Sequence, residues 1–225
     1  MATSRYRNLG RPEMTAVFDL DGMAASLKQL VSECNLQPLQ PQIADKFSAY
    51  LALLLRWNAR INLTAIRDPH EILTRHFLES IATAQSLPMD IRSLLDVGSG
   101  AGFPGIPIAL CRPEISVTLA ESQNKKAAFL QEVVRTLSLT TRVFAGRAET
   151  LPERFDCVTL RAVDRMTQAV ATASDLVAPI GWLAMMTTST QAPSAQTRLA
   201  SFRWSDPVTL PGSDRRILAI GQKIA

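Results

Sequence analysis

Between residues 93 and 188 short apolar runs alternate with stretches in which apolar residues recur every three or four positions. Runs of the first kind read as buried strands and of the second as amphipathic helices. The pattern predicts strands at Ser93–Val97, Ser116–Ala120, Arg142–Ala145, Cys157–Leu160 and Gly181–Thr187. Between them it predicts helices at Pro104–Cys111, Lys125–Leu137 and Thr167–Leu176. Strands that alternate with helices imply a parallel sheet covered on both faces. Two more strand candidates, Phe202–Leu210 and Arg215–Lys223, flank Pro211-Gly212-Ser213-Asp214, a hairpin turn that would add an antiparallel edge strand.

Before this region the pattern is helical only. Helices are expected over 24–34 and 41–60, the second with Ile43, Phe47, Tyr50, Leu51, Leu54, Leu55 and Asn58 on one face. A third should run from Pro69 to about Leu87, capped by Asp68 and closed by Pro88. Residues 1–22 are polar and aperiodic and read as a flexible tail. The expected fold is thus α/β: a doubly wound, mostly parallel sheet over 90–225, a helical lead-in over 23–89, and the tail.

The sharpest local signal is Leu94-Leu-Asp-Val-Gly-Ser-Gly-Ala-Gly-Phe-Pro-Gly-Ile-Pro107. Strand, glycine turn and helix together bring main chain close to a nucleotide-like ligand. The spacing is not that of the dinucleotide fingerprint, because the third glycine comes one residue early. Asp96, two residues before Gly98, sits badly beside a pyrophosphate. It suits a ligand with an ammonium group and no phosphates, such as the methionine end of S-adenosylmethionine. Gly98 and Gly100 are the expected main-chain contacts.

Glu121 ends the second strand, where a carboxylate either accepts from both ribose hydroxyls or caps the next helix as a solvated acid. Arg147-Ala148-Glu149 follows the third strand, where an adenine would lie, with Ala148 main chain at its edge. Phe103 either flanks the cofactor or belongs to the core. Arg161, at the end of the fourth strand, either positions substrate or forms a structural ion pair. Lys125 and Lys126 stand in the first turn of a helix, where a cation opposes the dipole. They serve an anionic partner or are surface lysines.

Composition narrows the classes further. The chain has 225 residues and a net charge of +4, which permits an anionic partner without demanding one. Cys34, Cys111 and Cys157 are scattered and odd in number, against a disulfide framework and for a reducing compartment. His70 and His76 are the only histidines and no Cys/His cluster has zinc spacing, so no metal is expected. His70 reads as a surface residue and His76 as a satisfied helix residue. No apolar run reaches membrane-spanning length, and no apolar stretch follows Arg5, Arg7 and Arg11 to make a signal peptide.

Several pieces together resemble the bacterial glucose-inhibited division protein B family, the small-subunit ribosomal RNA guanine-N7 methyltransferases. They are Trp57-Asn-Ala-Arg-Ile-Asn-Leu-Thr-Ala-Ile-Arg-Asp-Pro69, Arg75-His-Phe-Leu-Glu-Ser80, the glycine turn, Glu121-Ser with Lys125-Lys126, Gly146-Arg-Ala-Glu149 and Arg161-Ala162. The resemblance implies a class I S-adenosylmethionine-dependent methyltransferase fold and methyl transfer to guanine N7 in 16S rRNA. The protein is expected to be cytoplasmic, to meet the small ribosomal subunit and to act as a monomer. The resemblance places cofactor contacts at Gly98, Phe103, Ala148, Glu149 and Arg161, and makes Arg147 and Arg215, with Lys125 and Lys126, suited to RNA. Arg161 and Arg147 would position the substrate, with no general base. Departures are Thr187-Thr188 in place of a Lys-Gly pair and Glu79 in place of aspartate. A small-molecule methyltransferase and a non-catalytic cofactor- or RNA-binding protein are the alternatives.

Overall fold

The computed structural model describes residues 20–161 and 166–224; the proposed tail, except its last residues, and Ala162 lie outside them. The elements, in chain order, are α1 (Leu20–Glu33), α2 (Pro41–Asn58), α3 (Pro69–Ile72), a π-helical turn (Leu73–Leu78), α4 (Glu79–Ser86), β1 (Ser93–Val97), α5 (Gly105–Cys111), β2 (Ser116–Ala120), α6 (Asn124–Thr136) and β3 (Arg142–Phe144). After a single 3-10 turn at Ala148–Thr150 come β4 (Phe155–Arg161), α7 (Met166–Leu176), β5 (Val177–Thr188), α8 (Ala192–Arg198), β6 (Phe202–Trp204), β7 (Val208–Thr209) and β8 (Arg216–Lys223).

The sheet runs β3-β2-β1-β4-β5-β8-β6, with β7 paired to β8 outside that path. The first five of these strands are mutually parallel, and β8 is antiparallel to β5 and β6. The C-terminal hairpin therefore forms, but β8 lies inside the sheet and β6 is the edge. The expected strand Phe202–Leu210 is broken between Trp204 and Val208. Pro207 falls in that gap, where a residue without an N–H cannot extend a ladder. β5 begins earlier than expected. Its register jumps from Val177 opposite Phe155 to Trp182 opposite Cys157, so the residues between bulge out. Ile180 holds φ +56 in that bulge. α8 falls in a stretch whose polar composition gave no periodic signal.

Two cores cover the two faces. One joins Phe47, Tyr50, Leu54, Phe77 and Ile81 of the lead-in to Leu94, Ile106, Leu119, Phe129 and Leu218. The other packs Val170, Ala173 and Leu176 of α7 against Leu95, Val158, Leu160 and Met185. The helical lead-in thus shares its core with the sheet. Apolar burial at roughly 25 cal/mol per Å² is the main force holding it there.

The helix expected from Pro69 runs to Ser86 as one continuous rod that widens over Leu73–Leu78. Asp68 caps it by accepting from Glu71 N at 2.9 Å. Asn58, buried at the end of α2, uses its Oδ1 to accept from Leu63 N (2.9 Å) and Thr64 N (3.0 Å). This folds the Asn-Leu-Thr connector back on itself.

Candidate functional site

The glycine turn divides by function. Gly98 and Gly100 have φ +67 and +57, a region that L side chains enter at a cost. A Cβ on Gly98 would meet nothing within 4 Å, and one on Gly100 only the Gly98 carbonyl at 3.7 Å. These two glycines bare the main chain toward open space. Gly102 and Gly105 do the opposite: a Cβ at Gly102 would collide with the Tyr50 hydroxyl at 2.6 Å, and one at Gly105 with the Asp96 carboxylate at 2.8 Å. They are packing glycines, needed for the close approach of α2 and β1. The Tyr50 hydroxyl donates to the Ala101 carbonyl within the turn itself.

Asp96 is only 1% exposed. Its Oδ1 accepts from the Thr159 hydroxyl at 2.9 Å and its Oδ2 from Gly105 N at 3.3 Å. Burial pushes its pKa up to about 6, opposed by those hydrogen bonds. Both oxygens are thus engaged by the fold, tying β1 to β4 and to the start of α5. The expected partner of an ammonium group is first a structural clamp.

Glu121 is also buried, which removes the solvated-acid reading. Its Oε2 accepts from Gly100 N at 2.9 Å and its Oε1 from Gln123 N at 2.8 Å. The carboxylate thus faces the open bend, and each oxygen keeps lone-pair capacity for a further donor. Bare main chain at Gly98 and Gly100, flanked by an acceptor-only group, fits a flat ligand carrying hydroxyl donors. Of the other expected contacts, Ala148 is buried on its 3-10 turn. Glu149 is exposed and ion-paired with Arg147 at 2.5 Å. Phe103 is 7% exposed, inside an aromatic stack with His76 (4.8 Å) and Tyr50 (5.2 Å). Its ring is a core ring, so any cofactor contact runs along its edge or main chain.

Across the sheet the character changes. Glu79, 1% exposed, receives Arg161 through Oε2 at 3.1 Å and Arg216 through Oε1. Burial raises the Glu79 pKa, and the two guanidiniums oppose that rise. Arg161 also donates to the Arg75 carbonyl. The structural ion pair therefore exists. It does not exhaust the side chain, because Arg161 Nη1 is buried with no partner among the described residues. Arg75 Nε is in the same condition nearby.

Arg216 was missed in favour of Arg215. Arg215 is exposed, whereas alternation along β8 sends the next side chain to the other face. Arg216 lies opposite Thr188 in the β5–β8 ladder. A cation thus stands across from the site where the resemblance expects a lysine-glycine pair.

His76 also departs from expectation. Its Nε2 lies 2.7 Å from the Thr64 hydroxyl, but its Nδ1 is buried without a partner among the described residues. Burial, with Arg161 and Arg75 adding to it, lowers its pKa to about 3. His70 is exposed, as expected. Among the expected RNA contacts, Lys125, Arg147 and Arg215 are exposed and Lys126 is half-buried. The cysteines are free, and burial raises the thiols of Cys111, to about 12, and of Cys157. Among the described residues no cluster of metal ligands forms, and no helix is long and apolar enough to cross a membrane.

Comparison with known proteins adds to this geometry. The family model described as rRNA small subunit methyltransferase G matches residues 43–209. A protein of Stenotrophomonas maltophilia named ribosomal RNA small subunit methyltransferase G is 46% identical over 167 residues, 73% of this chain and 76% of the relative. Its namesake in Xanthomonas euvesicatoria is 44% identical over 153 residues, 67% of this chain and 71% of the relative. Among solved structures, a SAM-dependent methyltransferase from Aquifex aeolicus superposes with TM-score 0.55 at 15% identity, covering 70% of this chain and 94% of its own. P. horikoshii TYW2 in complex with MeSAdo gives TM-score 0.55 at 14% identity, covering 67% and 63%. At such identities these structures speak for the fold alone, a mostly parallel sheet with helices packed on it.

Proposed function

The chain belongs to the rRNA small subunit methyltransferase G family, and from that premise we propose that it transfers a methyl group from S-adenosylmethionine to N7 of a guanine in 16S rRNA. The observation that carries the reading is the open bend at Gly98 and Gly100 with the buried Glu121 carboxylate hydrogen-bonded to its main chain. Gly98 and Gly100 would hold the cofactor by main chain, Glu121 by its ribose hydroxyls, and the Ala148–Glu149 turn by its adenine. Phe103 and Arg161 complete the proposed contacts. When bound, S-adenosylmethionine supplies an electrophilic methyl on a sulfonium centre.

Guanine N7 carries a lone pair and no proton, so no side chain has to act as base. That reading is supported by His76, which is held neutral and buried, and by Cys111 and Cys157, which are held as thiols. What the chain's own residues supply is orientation of two bound reactants. Arg161 is the proposed positioning residue. Glu79 and the Arg75 carbonyl fix one end of its guanidinium, and Nη1, which has no partner among the described residues, is left to donate. Arg147, Lys125, Lys126 and Arg215 are proposed to meet phosphates, acting in the cytoplasm on the small ribosomal subunit, with the protein as a monomer.

The test is transfer of labelled methyl from S-adenosylmethionine to undermodified small subunits or 16S rRNA, followed by mass mapping of nucleosides. The expected outcome is one new 7-methylguanosine. Label found only in free metabolites, or cofactor binding without any transfer, would overturn the reading. Gly98→Val should abolish cofactor binding in calorimetry, because a branched side chain both strains a positive φ and fills the bend.

A further inference from the structure

A second surface feature stands apart from the sheet edge. Between the C-terminal end of α2 and α6 lies a groove of about 370 Å³ lined by Arg56, Trp57, Arg60, Ile61, Lys125 and Glu132. That is enough room for one small planar group and its substituents. Its charge is lopsided, with three cations to one carboxylate. Glu132 is already committed, since Arg56 pairs with its Oε1 and Trp57 Nε1 donates to its Oε2 at 2.9 Å. Arg60 and Lys125 are exposed and form no ion pair with any described residue.

The indole is fixed before anything binds. Its N–H is held by Glu132, and the ring packs edge-on against Phe129 at 5.7 Å and 61°. Yet Trp57 remains half-exposed. An immobilised aromatic ring loses little further entropy on contact. Lys125 is not explained by helix stability either, for it stands in the first turn of α6, where the dipole disfavours a cation.

We propose that this groove is a docking site for a single-stranded stretch of the rRNA, one base stacked on Trp57 and its flanking phosphates on Arg60 and Lys125. The inference rests on the rRNA reading above. An aromatic platform beside unneutralised cations is how single-stranded nucleic acid is held without sequence readout. The groove is also close to the cofactor acid. Lys125 follows Glu121 by four residues, and extended chain spans at most about 3.6 Å per residue. The two positions are therefore within about 14 Å, near enough for a strand that presents its base at the sheet edge to cross the groove as well.

The experiment uses the full chain, with Arg60→Gln and Trp57→Phe variants. Gln keeps most of the Arg60 stem without its charge, and Phe keeps an aromatic ring against Phe129 but gives up the indole N–H bond to Glu132. Methyl transfer to undermodified small subunits is measured at several salt concentrations, and cofactor affinity by calorimetry. Arg60→Gln should raise KM for RNA by about tenfold, the scale of one lost phosphate contact, and Trp57→Phe, which keeps a smaller stacking face, should raise it less. Cofactor affinity should hold. Arg60→Gln should also flatten the salt dependence, lowering the slope of log affinity on log salt by about 0.7. In parallel, a short single-stranded RNA should quench tryptophan fluorescence in the wild type and lose most of that quenching in Trp57→Phe.

Unchanged KM and salt slope in both variants would overturn the groove. So would equal quenching by free guanosine monophosphate, which would mark a mononucleotide pocket, or quenching only by an acidic peptide. If the wild type transfers no methyl to rRNA, the functional reading fails by itself, and the quenching arm still decides whether the groove holds a single strand.

Discussion

After β1 and β2 the chain turns through bare main chain beside a single carboxylate, Glu121, and leaves space above it. After β4 and alongside β8 it gathers Arg161 and Arg216 onto a buried Glu79, with Arg75 close by and two guanidinium nitrogens unpartnered. One end of the sheet edge offers a carboxylate acceptor to hydroxyls; the other sets two guanidiniums on one buried carboxylate, with Arg75 paired to Glu71 beside them. The difference would suit the two proposed reactants, a cationic methyl donor and a polyanion. It also separates what each end contributes: the first end needs room, the second needs a fixed direction for its donors.

The largest test of this contrast is Glu79→Ala. It leaves two largely buried guanidiniums without their counter-charge, and breaking a buried pair in this way costs about 3–5 kcal/mol. The melting temperature should fall steeply. A variant with wild-type stability by chemical denaturation would show that the arginines do not depend on Glu79. Next in size is Glu121→Ala. It should weaken cofactor binding by about 1–3 kcal/mol, the range for hydrogen bonds to a charged group. RNA affinity should hold. Calorimetry showing loss of RNA binding alone would place Glu121 with the basic end instead.

Over a single pH unit, the smallest effect concerns His76. Its folded pKa, about 3, lies below the ordinary 6.5. The unfolded chain therefore takes up a proton first as pH falls. Stability from the neutral ring is complete above about pH 6.5 and is lost on acidification toward pH 3, by up to about 1.4 kcal/mol per pH unit. Compared with His76→Gln, which does not titrate, the wild type should lose ground over pH 6.5 to 5.5 in urea denaturation. Parallel curves would mean that His76 protonates freely in the folded chain.

The acidic end was legible in the sequence and the basic end was not, for a physical reason. Gly98, Gly100 and Glu121 lie within one strand-turn-helix-strand unit, where local spacing carries the geometry. Strands β1 and β2 have the bounds their apolar runs predict. The arginine cluster joins residues 79, 161 and 216, which only the folded sheet brings together. Arg161 could be singled out as a charge ending an apolar strand, but its partner could not. The glycines show the complementary limit. All four look alike in sequence, and only the packing of Tyr50 and Asp96 separates the two that expose the backbone from the two that let neighbours in. Strand β5 and helix α8 were misjudged because a bulge and a polar helix leave no periodic trace.

Helix α2 carries Tyr50, whose hydroxyl is bonded into the glycine turn, and Trp57, which lines the groove at the helix's far end. Seven residues separate them, two turns and about 10 Å of rise. Each added or deleted residue would swing everything beyond it by about 100°, turning the indole away from Glu132 while the tyrosine stayed put. The spacing between these two aromatic rings is thus a phase as well as a distance. Insertions between positions 50 and 57 should be far less tolerated than substitutions at the same positions.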